Sequence, residues 1–190
     1  MVSFDAKPIH FFTTTDEWVA FLENDPSDDG VRLQLRKRTS SAPGITWDEA
    51  LDVALCFGWI DGQGKRLDDD YTLQAFTPRR RNSPWSQINQ GHVARLIDAG
   101  LMRPAGQAEI DRAKADGRWD AAYSQKNAVT PDDLQAAIDA SPAAAAAWQT
   151  LTKQNRFAMI WRTTSVKRPE TRERKIREYV AMLERGEKIY

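Results

Sequence analysis

The fold is decided by residues 46–62, which read TWDEALDVALCFGWIDG. Thr46 and Glu49 have the spacing of a capping box, in which each side chain bonds a backbone amide that the helix leaves without a partner. Apolar residues then recur at helical spacing, and Gly58 suits the left-handed conformation that commonly ends a helix. Residues 59–61 predict a short strand directly afterwards. A helix that leads at once into a strand indicates a mixed fold.

Two further strands are predicted on either side of this stretch. Residues 31–37 alternate strictly between apolar and polar side chains, which is the pattern of a strand with one buried face. Residues 71–76 predict a third strand, and the short connection from residues 59–61 favours antiparallel pairing. We therefore predict the α+β class, with a small antiparallel sheet of about three strands covered by helices.

Helices are predicted for most of the remaining chain. Thr14 and Glu17 form a second capping box ahead of an N-terminal helix. Ser83 and Pro84 predict the cap and the first position of a helix that follows the third strand. The C-terminal sequence predicts only helix and loop, so the second half of the chain is expected to be all-helical.

Length and composition are those of one large globular domain or of one domain with a helical extension. The 190 residues include 41% hydrophobic and 28% charged residues, which is ordinary for a globular protein. We predict one compact unit over residues 1–190. In it an α+β part, residues 8–117, is packed against a helical C-terminal part, residues 131–190.

Charge, cysteine content and hydropathy argue against several classes of protein. The 27 basic and 27 acidic residues balance, so the net charge does not favour binding to nucleic acid or to an anionic membrane. No stretch approaches the ~18–20 apolar residues that span a bilayer, and the N-terminus lacks the pattern of a secretory signal. A single cysteine, Cys56, excludes an intrachain disulfide. We predict a cytoplasmic protein without membrane insertion and without a nucleic-acid partner.

The most basic segment, residues 167–177, holds six Lys or Arg against two Glu. On a helix, Glu170–Arg174 and Glu173–Arg177 are i, i+4 pairs of the favourable orientation. A nucleic-acid site would instead place clustered basic side chains beside exposed aromatic residues. The segment therefore predicts a solvated helix face whose charges pair with one another.

Standard catalytic and metal-binding motifs do not occur in the sequence. Two histidines and one cysteine cannot assemble a Cys/His zinc set. There is no G-x-S-x-G, no Walker A motif and no dinucleotide fingerprint. Cys56 lies in an apolar run, where a thiol usually acts as a small buried hydrophobe. We predict no cofactor and no metal, and the sequence leaves open whether the protein is an enzyme.

One predicted helix face mixes polar and apolar residues. At 100° per residue, a single face carries Trp85, Ile88, Asn89, His92 and Leu96. In one interpretation Asn89 and His92 are partly buried and hydrogen-bonded to the backbone or to each other. In the other they line a pocket, since pockets combine aromatic walls with a few convergent polar groups.

Charged neighbours for such a pocket come from the predicted strands. Asp61 follows a Trp-Ile pair, and Arg binds carboxylate and phosphate bidentately. A structural ion pair of Asp61 with a nearby basic residue is the alternative. The candidate ligand-binding set is Trp59, Asp61, Lys65, Arg79, Trp85, Asn89 and His92. These residue types predict a small polar or anionic ligand.

Four ordered signatures resemble those of one bacterial family. They are TWDEA (46–50) with ALCFGWIDG (54–62), FTPRR (76–80) with SPWSQIN (83–89), MRPAG (102–106), and KRPETR (167–172). Through them the chain resembles, from Pro8 to Lys188, the YdeI/OmpD-associated proteins, also described as bacteriocin-protection proteins. The resemblance implies a role in tolerance of cationic antimicrobial peptides and in envelope stress. It implies no particular reaction, cofactor or catalytic residue.

Residues and resemblance together predict a stress protein that binds a small ligand or a peptide without catalysis of its own. The first alternative is an enzyme that uses the same pocket, with Asp61 as general base and Arg79 as electrostatic stabiliser. The second is an interaction module whose C-terminal helix docks a protein partner through an exposed apolar patch.

Overall fold

The computed structural model describes residues 3–24, 29–124 and 126–190. The chain divides into two compact units, Met1–Tyr123 and Ser124–Tyr190. The first unit contains a sheet and helices, and the described residues of the second are helix and loop, so the α+β class is confirmed. The prediction that both parts form one compact unit stays a prediction.

The first unit combines a four-stranded sheet with four α-helices in its described residues. The strands are β1 (Ile9–His10), β2 (Val31–Arg36), β3 (Trp59–Arg66) and β4 (Tyr71–Pro78). The helices are α1 (Thr15–Asn24), α2 (Trp47–Cys56), α3 (Gln87–Asp98) and α4 (Pro104–Ala115). The strand order in the sheet is β1-β2-β4-β3.

The observed sheet corrects the predicted number of strands. β4 pairs antiparallel with both β2 and β3, as expected for the three predicted strands. β1 adds a fourth strand that runs parallel to β2, so the sheet is mixed rather than antiparallel. A strand of two residues is too short to show alternation, and the sequence pattern therefore missed it.

Trp18 of α1 lies at the centre of the first unit's core. Its side chain is fully buried, and its Nε1 donates a hydrogen bond of 3.1 Å to the carbonyl oxygen of Ala50 in α2. The ring meets the rings of Trp59 and Phe76 edge-on, with each centroid 6.0 Å away. One aromatic side chain thus ties two helices to strands β3 and β4.

The helix after β4 begins three residues later than predicted. Ser86 is its N-cap, because its Oγ accepts a 3.1 Å hydrogen bond from the backbone N–H of Asn89. Ser83, the predicted cap, instead accepts a bond of 2.9 Å from the backbone N–H of Arg80 and closes a loop. Both serines offer the same hydroxyl, so local sequence does not distinguish them.

This shift makes the predicted helix face wrong. Trp85 precedes α3 and is not helical, and Ile88 is 58% exposed. The buried residues of α3 are Val93 and Leu96. Asn89 and His92 are half-buried, which agrees with the first interpretation of these two residues.

Two glycines let the end of α2 approach the start of α4. Gly58 has φ +74°, so it ends α2 in the left-handed conformation, as predicted. A Cβ added to Gly106 of α4 would lie 2.3 Å from the carbonyl oxygen of Cys56. The signatures at 54–62 and 102–106 therefore pack directly against each other.

The second unit contains four α-helices in its described residues. They are α5 (Asp132–Asp139), α6 (Pro142–Thr150), α7 (Lys153–Thr164) and α8 (Pro169–Glu184). The apolar stripe of α8, Ile176, Tyr179 and Leu183, packs into this unit's core. None of the helices in the described ranges is long and apolar enough to cross a membrane.

Arg172, the last residue of the KRPETR signature, is a structural residue. Its Nε and Nη2 donate to the two carboxylate oxygens of Asp133 in α5 at 2.6 and 2.8 Å. Its Nη1 donates to the carbonyl oxygen of Thr163 in α7 at 3.0 Å. One guanidinium therefore joins three helices, which explains an arginine at this position without a ligand.

The charged face of α8 pairs internally, as predicted, with one change of partner. The Glu173–Arg177 pair is present at 3.9 Å. Arg174 pairs with Glu178 at 3.6 Å rather than with Glu170. Arg174 has a glutamate four residues away on either side, and the one that follows it, Glu178, is its partner.

Candidate functional site

Arg79 is a buried arginine directly after β4. Only 6% of the residue is exposed. Its backbone N–H donates to the carbonyl oxygen of Gly58 at 2.9 Å, which fixes the end of β4 to the end of α2. The guanidinium lies over the ring of Trp85, with its Cζ 3.6 Å from the centroid. Its Nη1 donates to the carbonyl oxygen of Pro84 at 3.2 Å.

Three buried N–H donors, two in this guanidinium and one in the indole beneath it, lack a hydrogen-bond partner among the described residues. They are Nε and Nη2 of Arg79 and Nε1 of Trp85, all of them buried. An unsatisfied buried donor costs about 1–3 kcal/mol, more when it is charged, so such groups are uncommon in native proteins. Each of the three is a donor that an acceptor atom of a ligand can engage.

Asp61 of β3 supplies a carboxylate next to this cluster. Burial raises the pKa of the Asp61 carboxyl above its usual range, while the side chain of Trp47 and the charge of Arg79 act in the opposite direction. Burial also lowers the pKa of Arg79 to about 10, although the charges of Glu109 and Asp61 oppose that shift. The two groups therefore sense each other in a poorly solvated environment.

Tyr123 reaches the same place from the end of the first unit. Its backbone N–H donates to the carbonyl oxygen of Trp85 at 3.0 Å, and its carbonyl accepts from the N–H of Gln87 at 2.9 Å. Burial raises the pKa of the Tyr123 phenol, and the nearby Asp61 carboxylate raises it further. We call Asp61, Arg79, Trp85 and Tyr123 the Arg79 site.

Sequence reasoning missed several members of this neighbourhood. Trp119 packs on Trp85 with a centroid distance of 4.9 Å, and Glu109 of α4 acts on the charge of Arg79. Neither these residues nor Tyr123 belongs to a motif of the sequence. Residues 118–123 are brought to the site by the bridge between Ser86 and Tyr123 and by the hydrogen bonds from Arg118 to the carbonyl oxygen of Ser83 and from Gln90 to that of Trp119.

Two of the predicted site residues are not drawn into the cluster by any contact in the described residues. Trp59 is 3% exposed and packs on Trp18 in the core. Lys65 is exposed on β3, four residues beyond Asp61. Because of a bulge between Asp61 and Gly64, the β4 partners of Asp61 and Lys65, Phe76 and Leu73, are three positions apart, which is about 10 Å along the sheet.

Asn89 and His92, on α3, lie at the margin. The backbone N–H of Asn89 donates to Oγ of Ser86, the residue that caps α3. His92 Nδ1 lies 3.3 Å from Oδ1 of Asp52 in α2, and 3.2 Å from Nη2 of Arg95. These contacts place His92 in the α2–α3 contact.

A separate groove of about 370 Å³ lies along α1, α2 and the ends of α3 and α4, and it contains none of the predicted site residues. Its acidic residues include Asp52, which Arg95 binds at 2.6 Å, and Glu49, which the capping box holds at 2.7 Å. Cys56 also lines it, but burial raises the pKa of that thiol to about 11. A thiol with so little thiolate is a poor nucleophile.

Two family models match separate parts of the chain. The first, described as Domain of unknown function (DUF8412), matches residues 10–109, which is more than half of the 190 residues. The second, described as Bacteriocin-protection, YdeI or OmpD-Associated, matches residues 127–186. The chain belongs to the DUF8412 domain family, and its C-terminal part to the YdeI/OmpD-associated family. No curated protein and no solved structure matches it.

The matches divide the predicted resemblance between two families. The YdeI/OmpD-associated match is confined to the C-terminal part, and of the four signatures only KRPETR falls inside it. The other three signatures lie within the DUF8412 match. The predicted coverage from Pro8 to Lys188 was therefore too wide. Asp61, Arg79 and Trp85 belong to the DUF8412 part, whose description assigns no role.

Replacing Asp61 by asparagine is expected to stabilise the first unit at pH 7. The folded-state pKa of Asp61 lies above the unfolded value, so the stability that protonation contributes is present at low pH and lost as the pH rises through the folded pKa. An asparagine stays neutral throughout. The difference between Asp61→Asn and wild type should therefore narrow as the pH falls towards about 4, in denaturant unfolding followed by tryptophan fluorescence.

The exposed Asp98 provides the control for this prediction. Asp98→Asn should change stability little and with no trend between these pH values. A difference for Asp61→Asn that grows as the pH falls would contradict the assigned direction.

Proposed function

We propose that the first unit binds a small polar or anionic ligand at the Arg79 site, without catalysis. The observation that carries the proposal is the pair of buried guanidinium N–H groups, Nε and Nη2, that have no acceptor in the described residues. A buried charged donor without a partner gains more free energy from a ligand's acceptor atom than a donor exposed to water does. The exposed donor must first give up its hydrogen bonds to water, and the buried donor has none to lose.

The surroundings of Arg79 support the proposal. Two indole rings, those of Trp85 and Trp119, offer apolar walls, and Asp61 offers an acceptor at the same place. Binding sites commonly combine aromatic walls with a few convergent polar groups. Tolerance of bacteriocins is the setting that the family description of the C-terminal part supports. A general stress role and a cytoplasmic location stay predictions.

Catalysis in the same site is the second candidate function. It is favoured by the shifted pKa values of Asp61, Arg79 and Tyr123, all caused first by burial, since such clusters are typical of active sites. In this alternative Asp61 is the general base and Arg79 stabilises developing negative charge. Asp61→Asn would then abolish turnover of a bound ligand while leaving its binding in place.

Docking of a protein through the C-terminal helix has less support. The apolar residues Ile176, Tyr179 and Leu183 of α8 pack inside the second unit. Among the described residues, that stripe is therefore not an exposed apolar patch of the kind that marks a docking surface.

A thermal-shift screen tests ligand binding. Wild-type protein is heated with metabolites, carboxylates, phosphates, nucleotides, sugars and peptides. A ligand at a hundred times its dissociation constant should stabilise the protein by about 2.7 kcal/mol. Arg79→Lys should remove the shift, because lysine keeps the charge but lacks the planar fork of donors.

Lys65→Ala is the matched control, since Lys65 is exposed and distant along β3. Loss of the shift in Lys65→Ala with retention in Arg79→Lys would move the site to the exposed part of the strand. A screen in which no compound shifts the wild-type melting temperature would overturn the proposal.

A further inference from the structure

The two unpartnered nitrogens of Arg79 belong to one edge of the guanidinium. Nη1, on the other side, is already used by the carbonyl oxygen of Pro84. The N–H bonds of Nε and Nη2 run parallel in the guanidinium plane, so this edge can donate two hydrogen bonds to two oxygens of one group. The stack on Trp85 holds the plane in a fixed orientation.

Every buried side-chain polar atom without a hydrogen bond in the described residues is a nitrogen donor. Besides the edge of Arg79, these are Nε1 of Trp85 and Nη2 of Arg118. The Arg118 nitrogen lies 2.8 Å from a carboxylate oxygen of Asp116 and is therefore already neutralised. The remaining three donors belong to two stacked groups, the guanidinium of Arg79 and the indole of Trp85, with Cζ of Arg79 3.6 Å from the ring centroid. The site thus offers donors in excess and calls for acceptors.

Charge restricts which acceptor group the site can take. Glu109 and Asp61 act on the Arg79 guanidinium from α4 and β3, and the positive charge of Arg118 opposes them. Arg112 contacts the carboxylate of Glu109, and Asp116 binds Arg118, so the net excess of positive charge near Arg79 is small. A group with two negative charges would face the Asp61 carboxylate without a second cation. A group with one negative charge and two coplanar oxygens fits better.

We propose that the Nε–Nη2 edge of Arg79, with the indole N–H of Trp85, binds a carboxylate group of the ligand. This assignment rests on the proposed function and names its ligand class. Two parallel N–H groups match the two oxygens of a carboxylate, and the indole can donate to one of them. Because the donors have no contact with solvent, binding must be accompanied by movement of the residues that cover them.

The test follows the indole N–H signals of the ¹⁵N-labelled full chain by NMR. Acetate, inorganic phosphate and acetamide are titrated separately at constant ionic strength, and Trp85→Phe assigns the signal of Trp85. We expect acetate to shift this signal with a dissociation constant at least about tenfold lower than that of phosphate or acetamide. Arg79→Lys should abolish the acetate-induced shift, and the exposed neighbouring variant Arg80→Lys should leave it unchanged.

Each other outcome overturns the assignment in a distinct way. Tighter binding of phosphate would show that the edge holds a different anion, and the proposed ligand binding would stand. Equal binding of acetamide and acetate would show that a neutral acceptor suffices, and ligand binding would again stand. If none of the three probes shifts the Trp85 signal, the carboxylate assignment fails, and the thermal-shift screen then decides the proposed function separately.

Discussion

Gly106→Ala is expected to lower the free energy of unfolding of the first unit by about 2–3 kcal/mol. The added methyl group would lie 2.3 Å from the carbonyl oxygen of Cys56 and 2.6 Å from that of Leu55. Both neighbours are backbone atoms in the last turn of α2, so neither can rotate away. The helices must separate instead, and the contact that joins two of the sequence signatures is lost.

A second glycine in a helix provides the control. Gly91 lies inside α3, and a Cβ added there meets no atom within 4 Å. Because alanine has a higher helix propensity, Gly91→Ala should raise the free energy of unfolding by about 0.5–1 kcal/mol. The same substitution should therefore have opposite signs at the two positions, in denaturant unfolding followed by tryptophan fluorescence.

The Gly106 variant also reports on the Arg79 site. The carbonyl oxygen of Gly58, directly after α2, accepts the backbone N–H of Arg79, so a displaced α2 displaces the guanidinium. If Gly106→Ala folds, it should weaken the binding of any ligand that Arg79→Lys abolishes. A variant that is as stable as wild type would contradict the close approach of α2 and α4.

Elements with a local chemical cause could be predicted from the sequence. Thr46 and Glu49 form the full capping box of α2, and the alternation in β2 buries Val31, Leu33 and Leu35. The interaction that determines each of these elements is either between residues a few positions apart or with the hydrophobic core as a whole. Gly58 was predictable for the same reason, since left-handed backbone favours glycine.

The sequence-based predictions failed where a residue distant in the chain determines the local structure. Ser83 and Ser86 are equivalent as caps, and Ser86 takes the role where Tyr123 pairs with that segment. The position of Trp85 follows from that pairing and not from a helical period, which is why the predicted face failed. Of the Arg79 site, Asp61, Arg79 and Trp85 were named from the sequence. Tyr123 could not be, because nothing near it in the chain marks it.

Arg79→Met is expected to abolish ligand binding and to raise the free energy of unfolding by about 1–3 kcal/mol. The native guanidinium is buried with two donors unpartnered, and burial lowers its pKa to about 10. A methionine of similar length removes the buried charge. It still fills the space over the ring of Trp85, because its thioether contacts aromatic rings favourably.

Arg79→Ala separates this explanation from simple packing. Alanine also removes the charge, but it leaves a cavity beside Trp85 and should therefore be less stable than the methionine variant by about 2–3 kcal/mol. Denaturant unfolding of both variants and wild type, with a binding measurement on each, gives the comparison. A methionine variant less stable than wild type by more than about 1 kcal/mol would mean that the guanidinium stabilises the fold. If Arg79 is retained for binding rather than for folding, its loss is expected to increase stability.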